Sequence, residues 1–227
     1  TGVAFANEIT EDPALNVITF EYMYNGAGVG VGDVVGDSLP DLFFASNMGP
    51  NALYRNEGDF QFTNVTEHAG IDTDGKWANG VTMVDINHDG HLDIYVSVGG
   101  PYPDPARRAN ELYVNDGDGT FTERAAAYGL ADTAHTTQTA FFDYDKDGDL
   151  DAYLLTSGFG EKGSNVIQPK TTDGSAVNTD RLYQNQGDGT FTNVSDEAGI
   201  QIEGHGLGIA ILDVNRDGWP DVYAAND

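Results

Sequence analysis

The chain has 227 residues and a mass of 24.3 kDa, with 37 acidic residues against 10 basic ones and a formal net charge of -27. Such a charge repels phosphate backbones and anionic lipid surfaces, which excludes nucleic-acid binding, and no run of about 18 apolar residues offers a route to membrane insertion. Hydrophobic residues at 39% suffice for a core, and the absence of cysteine excludes disulfides and thiolate metal sites.

The acids are 27 Asp and 10 Glu. An acidic helix would favour Glu, the better helix former, so the Asp excess has a local cause. Residues 1–27 read as the end of a first unit, because Phe5-Ala-Asn7-Glu-Ile-Thr10 mirrors Phe62-Thr-Asn64-Val-Thr66 further on. Four units follow, at 28–71, 80–130, 139–200 and 206–227, and each carries one nine-residue Asp-rich segment. The first holds Asp33, Asp37 and Asp41; the second Asp85, Asn87, Asp89 and Asp93; the third Asp143, Asp145, Asp147 and Asp151; the fourth Asp213, Asn215, Asp217 and Asp221. Three units continue into a second motif, Leu53-Tyr-Arg-Asn56, Leu112-Tyr-Val-Asn115 and Leu182-Tyr-Gln-Asn185, each followed by a Gly-containing turn and Phe.

The spacings separate scaffold from insert. From the motif Asn to the next Asp loop the intervals are 29, 28 and 28 residues (56 to 85, 115 to 143, 185 to 213), whereas from the last loop Asp to Leu-Tyr they are 12, 19 and 31 (41 to 53, 93 to 112, 151 to 182). Each unit reads as four short strands, with the Asp loop between the first and second and a Gly-Asp-Gly hairpin between the third and fourth. The fold class is therefore all-β, a β-propeller of about four blades, some partial, in which radial repetition protects the sheet edges. Helical turns are expected near Glu67–Gly70 and Glu123–Gly129. The chain starts within a last strand and stops after a second strand, which predicts either the N-terminal part of a longer chain or open edges that self-associate with another copy.

Loop positions one, three, five and nine offer side-chain oxygens around a turn that Gly at position six allows. Hard oxygen ligands select calcium. Residues such as Asp, Asn and Gly also favour turns without metal, but four carboxylates as close as Asp143, Asp145, Asp147 and Asp151 require a counter-charge. Three strong calcium sites are predicted, together with a degenerate one at Asp33, where Val35 and Ser38 replace the third ligand and the Gly. The loop is not an EF-hand, since Val96, Leu154 and Ala224 stand where a bidentate Glu is required.

This alternation of motifs resembles the FG-GAP/VCBS repeats of integrin-α-like β-propellers, including extracellular VCBS-repeat proteins and the cartilage acidic protein family. The resemblance covers nearly the whole chain, and it implies a secreted or surface-exposed, calcium-stabilised propeller without implying one activity.

Partner sites are expected on the face opposite the calcium loops, where the inserts Gly99–Ala109 and Gly158–Thr179 project. Asn25, Trp77, His135 and His205 each stand eight residues before a loop-opening Asp and are expected near the mouth of the central channel. Aromatic and imidazole groups there suit a protein or glycan, and they also suit packing or capping of a blade. Tyr102, Arg107 and Arg108 complete the candidate surface, with the Arg pair readable also as a solvated loop tip or as a partner for the protein's own acids. Asn64 and Asn193 head Asn-x-Ser/Thr glycosylation patterns at equivalent repeat positions. A binding, adhesion or assembly module is the favoured function. The alternative is a calcium-dependent polysaccharide lyase or hydrolase, whose acid or base would be His135 or His205.

Overall fold

The computed structural model describes residues 1–71, 75–158 and 169–226. Its strands form antiparallel meanders. The first sheet joins β1 (Val29–Gly32), β2 (Asp41–Phe44), β3 (Ala52–Asn56) and β4 (Phe62–Asn64) in that order. The second joins β5 (Ala78–Val84), β6 (Asp93–Val98), β7 (Glu111–Asn115) and β8 (Phe121–Glu123). The third joins β9 (Thr136–Phe142), β10 (Asp151–Thr156), β11 (Arg181–Asn185) and β12 (Phe191–Asn193), and β13 (Gly206–Leu212) pairs with β14 (Asp221–Asn226). These are the blades of a β-propeller.

The blades stack face to face because their middle strands are apolar on both sides. In β6 the alternating residues Ile94, Val96 and Val98 enter one core cluster with Phe43, Leu53 and Phe121. Tyr95 points the other way, into a second cluster with Leu112, Leu154 and Phe191. Period-two alternation thus buries one strand between two neighbours rather than half-exposing it. First strands run side by side around the inner edge, where Thr82 Oγ1 donates to Thr139 O at 2.6 Å and Asn79 Nδ2 to Thr136 O at 2.9 Å. A side chain at Gly80 would come within 2.7 Å of Thr137 O, which explains a glycine inside a strand.

The strand expected over Phe5–Thr10 does not form. Phe5 instead stacks on Phe44, with ring centroids 4.9 Å apart, and Asn7 Oδ1 accepts from Asn47 N–H at 3.0 Å. The equivalence lies elsewhere. Thr1 O accepts from Phe62 N–H at 2.8 Å just as Ala69 O accepts from Phe121 N–H at 2.9 Å. Gly2, Gly70 and Gly129 all adopt left-handed φ, at 76°, 73° and 77°, and lie against Phe62, Phe121 and Phe191 of the following sheet. Residues 1–3 therefore match the turn that follows a blade.

The expected helical turns are present, as α1 (Ala125–Tyr128) in the second unit and as hydrogen-bonded turns in the others. Their start explains the two Asn-x-Ser/Thr patterns. Asn193 Oδ1 accepts from Ser195 N–H and Oγ at 3.0 and 2.6 Å, and Ser195 Oγ accepts from Leu182 N–H at 2.9 Å. Asn64 and Thr66 repeat this around Leu53. In the second unit the carboxylate of Glu123 alone takes both roles, accepting from Ala125 and Leu112 N–H. Replacing Ser195 by Ala leaves the buried Leu182 N–H without its partner, and urea unfolding should show a loss of about 1–2 kcal/mol; an unchanged midpoint would refute that role.

Candidate metal and ligand sites

The four Asp loops share one backbone. The position-one carboxylate accepts from the position-six N–H in every copy: Asp33 from Ser38 at 2.7 Å, Asp85 from Gly90 at 3.0 Å, Asp143 from Gly148 at 3.1 Å and Asp213 from Gly218 at 2.8 Å. The position-five carboxylate accepts from position seven: Asp37 from Leu39, Asp89 from His91, Asp147 from Asp149 and Asp217 from Trp219, at 2.8–2.9 Å. Main-chain N–H groups therefore hold these acids around the turn before any ion is considered. The turn demands left-handed φ at position six, and also at position four, where His88, Lys146 and Arg216 adopt 56°, 65° and 64°. A non-glycine residue there costs on the order of 1 kcal/mol. Ser38 accepts the same cost at position six of the first loop, with φ at 71°.

Position nine has a role the spacing did not reveal. Asp93 is fully buried, and its Oδ2 accepts from Ile86 N–H at 3.0 Å while its Oδ1 accepts from Asn115 N–H on β7 at 2.8 Å. Asp41 and Asp151 make the same pair of bonds, to Val34 and Asn56 and to Tyr144 and Asn185. Asp221 bonds Val214 N–H at 2.8 Å. The motif Asn closes the joint, because Asn115 Nδ2 donates to Leu92 O and its Oδ1 accepts from Gly117 N–H at 2.9 Å. The sequence signal for this role is the recurrence of Asn56, Asn115 and Asn185 at one place in each complete unit. Burial pushes the Asp93 and Asp151 carboxyls up to about 6, against the pull of these N–H groups and with nearby loop acids adding to the rise.

Position three distinguishes the copies. Asn87 and Asn215 turn their amides toward Asp89 and Asp217, each at 2.9 Å. Asp145 cannot donate in this way. It accepts instead from Gln184 Nε2 at 2.7 Å, and it brings a ligand oxygen within 4.8 Å of others from Asp143 and Asp151. No other three acidic or imidazole side chains converge as closely among the described residues. Asp143 Oδ1 is buried there without a hydrogen-bond partner among the described residues. An unpartnered buried carboxylate oxygen beside two further carboxylates fits a hard cation and fits nothing apolar. In the first loop Val35 supplies no oxygen. There burial acts against ionisation of Asp33, but N–H bonds from Ser38, Gly36, Asp37 and Val35 outweigh it and hold the carboxyl below its ordinary range.

The residues expected at the channel mouth have different fates. Trp77 is 1% exposed and packs edge-on against Phe20, with centroids 5.2 Å apart. His135 is 8% exposed, its Nδ1 lies 2.9 Å from Gly100 O, and burial together with the Arg108 charge lowers its pKa to about 4. The Gly100 turn covers both residues, so they cap the blade. Arg108 is no solvated tip; it is buried and donates to the carbonyls of Tyr102, Pro103 and Thr133. Arg107 is exposed, stacks 3.4 Å over the Tyr102 ring and donates to Gly75 O. His205 is half-buried, with a buried Nδ1 that has no hydrogen-bond partner among the described residues. Of the insert Gly158–Thr179, residues 159–168 lie outside the described residues.

Of the four, Asn25 alone lines a cavity that opens among the inner strands. That cavity has a volume of about 460 Å³ and draws its walls from Phe20 and Tyr22, from Asn79 on β5, from Gln138 on β9, and from Ser157 beyond β10. It lies at the ends of β5 and β9 remote from their Asp loops.

A family profile described as FG-GAP-like repeat matches residues 19–96, 102–154 and 171–224. Cartilage acidic protein 1 of Homo sapiens is 27% identical over 202 residues, covering 88% of this chain and 28% of its own length. The namesakes of Mus musculus and Xenopus tropicalis are 26% and 25% identical, covering 88% and 99% of this chain. The chain spans less than a third of the length of these relatives, 28% to 32%. A solved Agrocybe aegerita structure, titled as a lectin that recognises non-reducing terminal N-acetylglucosamine, aligns with a TM-score of 0.45 and 17% identity, over 86% of this chain and 46% of its own.

Proposed function

The chain belongs to the FG-GAP-like repeat family, and we propose that it is an extracellular binding module in which the Asp85, Asp143 and Asp213 loops carry structural calcium. The observation behind the metal assignment is the buried, unpartnered Asp143 Oδ1 beside Asp145 and Asp151. Asp143, Asp145, Asp147 and Asp151 would hold one ion. Asp85, Asn87, Asp89 and Asp93 would hold a second, and Asp213, Asn215, Asp217 and Asp221 a third, once each Asn turns its oxygen inward. In the Asp33 loop Val35 supplies no third oxygen, and that loop is left without an ion. Calcium supplies the positive charge that lets four acids share a turn.

Extracellular placement is supported by the relatives, whose name places them in cartilage. No helix among the described residues is long and apolar enough to cross a membrane. The polysaccharide-cleaving alternative is weakened at its proposed acid or base, since His135 is buried against Gly100 with its pKa at about 4. The relatives also carry a name that denotes no enzyme.

Native mass spectrometry in added calcium should count three ions per chain, and two in Asp143→Asn. Fewer than two ions on the parent protein would overturn the metal assignment. New reducing ends from starch, pectin or alginate that vanish in His205→Ala would overturn the module in favour of an enzyme.

A further inference from the structure

We propose that the cavity bounded by Phe20, Tyr22, Asn25, Gln138 and Ser157 binds an uncharged sugar residue; this rests on the reading of the chain as a binding module and names its ligand class. The cavity's 460 Å³ falls within the range of roughly 300–1,000 Å³ usual for small-molecule sites. Ser157 is 3% exposed, lines the cavity, and its Oγ has no hydrogen-bond partner among the described residues. A buried hydroxyl left unpaired is destabilising, and a ligand hydroxyl would satisfy it. Asn25 and Gln138 are exposed at the rim, and neither side-chain amide bonds another group among the described residues. Each offers both donors and an acceptor, the combination that vicinal sugar hydroxyls use.

Charge narrows the class further. None of the lining residues is ionisable in the physiological range, so no cation stands ready for a carboxylate or sulfate and no carboxylate for an ammonium. A charged ligand would lose its hydration there without a counter-ion, and an anionic one would also meet the net charge of -27. A wholly apolar ligand would leave Ser157 Oγ unsatisfied. A sugar ring, with apolar C–H faces for Phe20 and Tyr22 and hydroxyl edges for Ser157, Asn25 and Gln138, matches all of these features.

The test uses the full chain saturated with calcium and a panel of methyl glycosides of glucose, galactose, mannose, fucose and N-acetylglucosamine, with glucuronate as the charged control. Saturation-transfer NMR should detect at least one neutral glycoside and no glucuronate. Calorimetric titration should then show affinity reduced about five- to tenfold by Ser157→Ala and by Gln138→Ala. The exposed position of Gln138 keeps folding out of the comparison, which an unchanged melting temperature would verify. No bound neutral glycoside, equal binding of glucuronate, or affinity indifferent to both variants would overturn the proposal. The calcium count is read separately, so three ions with no glycoside would remove the sugar site and leave the calcium-loaded module standing.

Discussion

Excess chelator is expected to lower the thermal midpoint by more than 10 °C. An ion present at about a thousand times its dissociation constant stabilises the native state by about 4 kcal/mol per site. For a chain of this size each kcal/mol moves the midpoint by about 2–4 °C, and three loops contribute. With no cysteine in the chain, no disulfide compensates for the loss. The pH dependence should also change sign. Without metal, Asp93 and Asp151 titrate at about 6 in the folded state against an ordinary 3.8. The native state then binds more protons, so this stability is fully present below about pH 4 and is lost as pH rises through 6. With calcium the ligands must be ionised, and stability should rise over the same interval. Urea midpoints at pH 5 and 7, each with calcium and with chelator, give both slopes. A chelator effect under about 2 °C, or slopes of the same sign, would show that the Asp loops are turns alone.

Asp93→Ala is expected to cost about 3 kcal/mol or more even in chelator, where no ion is left to lose. The substitution strands two N–H groups, of Ile86 and Asn115, that the fully buried carboxylate now satisfies. Each unsatisfied buried group costs about 1–3 kcal/mol. Asp37 is exposed in the first loop, its carboxylate accepts from Leu39 N–H and from no other group among the described residues, and as the control Asp37→Ala should cost less than about 1 kcal/mol. Urea unfolding of both variants in chelator compares them directly. Equal losses would mean that position nine acts through the metal only and does not join the loop to the next hairpin.

The repeat, the four-stranded unit and the Asp loop were legible in the sequence because each recurring motif, the Asp loop and the Leu-Tyr hairpin alike, is set by residues within about ten positions of one another. Asp, Asn and Gly at fixed spacing specify a turn by contacts with their own backbone, and alternating apolar residues specify a strand buried on both sides. The side of the hairpin that carries no fixed joint absorbed the inserts. The bond from position nine to the motif Asn spans 15, 22 and 34 residues in the three complete blades, while its geometry stays the same.

What only the tertiary structure decided depended on segments far apart in the chain. Phe5–Thr10 has the residues of a last strand, but Phe44 and Asn47 draw its side chains elsewhere. Trp77 and His135 carry the residue types of a ligand site, and it is Gly100, from another loop, that covers them. The cavity gathers residues from Phe20 to Leu207, and no local pattern announces it. Turn chemistry is a property of the chain's own neighbours, so sequence alone determined it; exposure and burial are settled by which distant segments arrive to exclude water, so they waited on the fold.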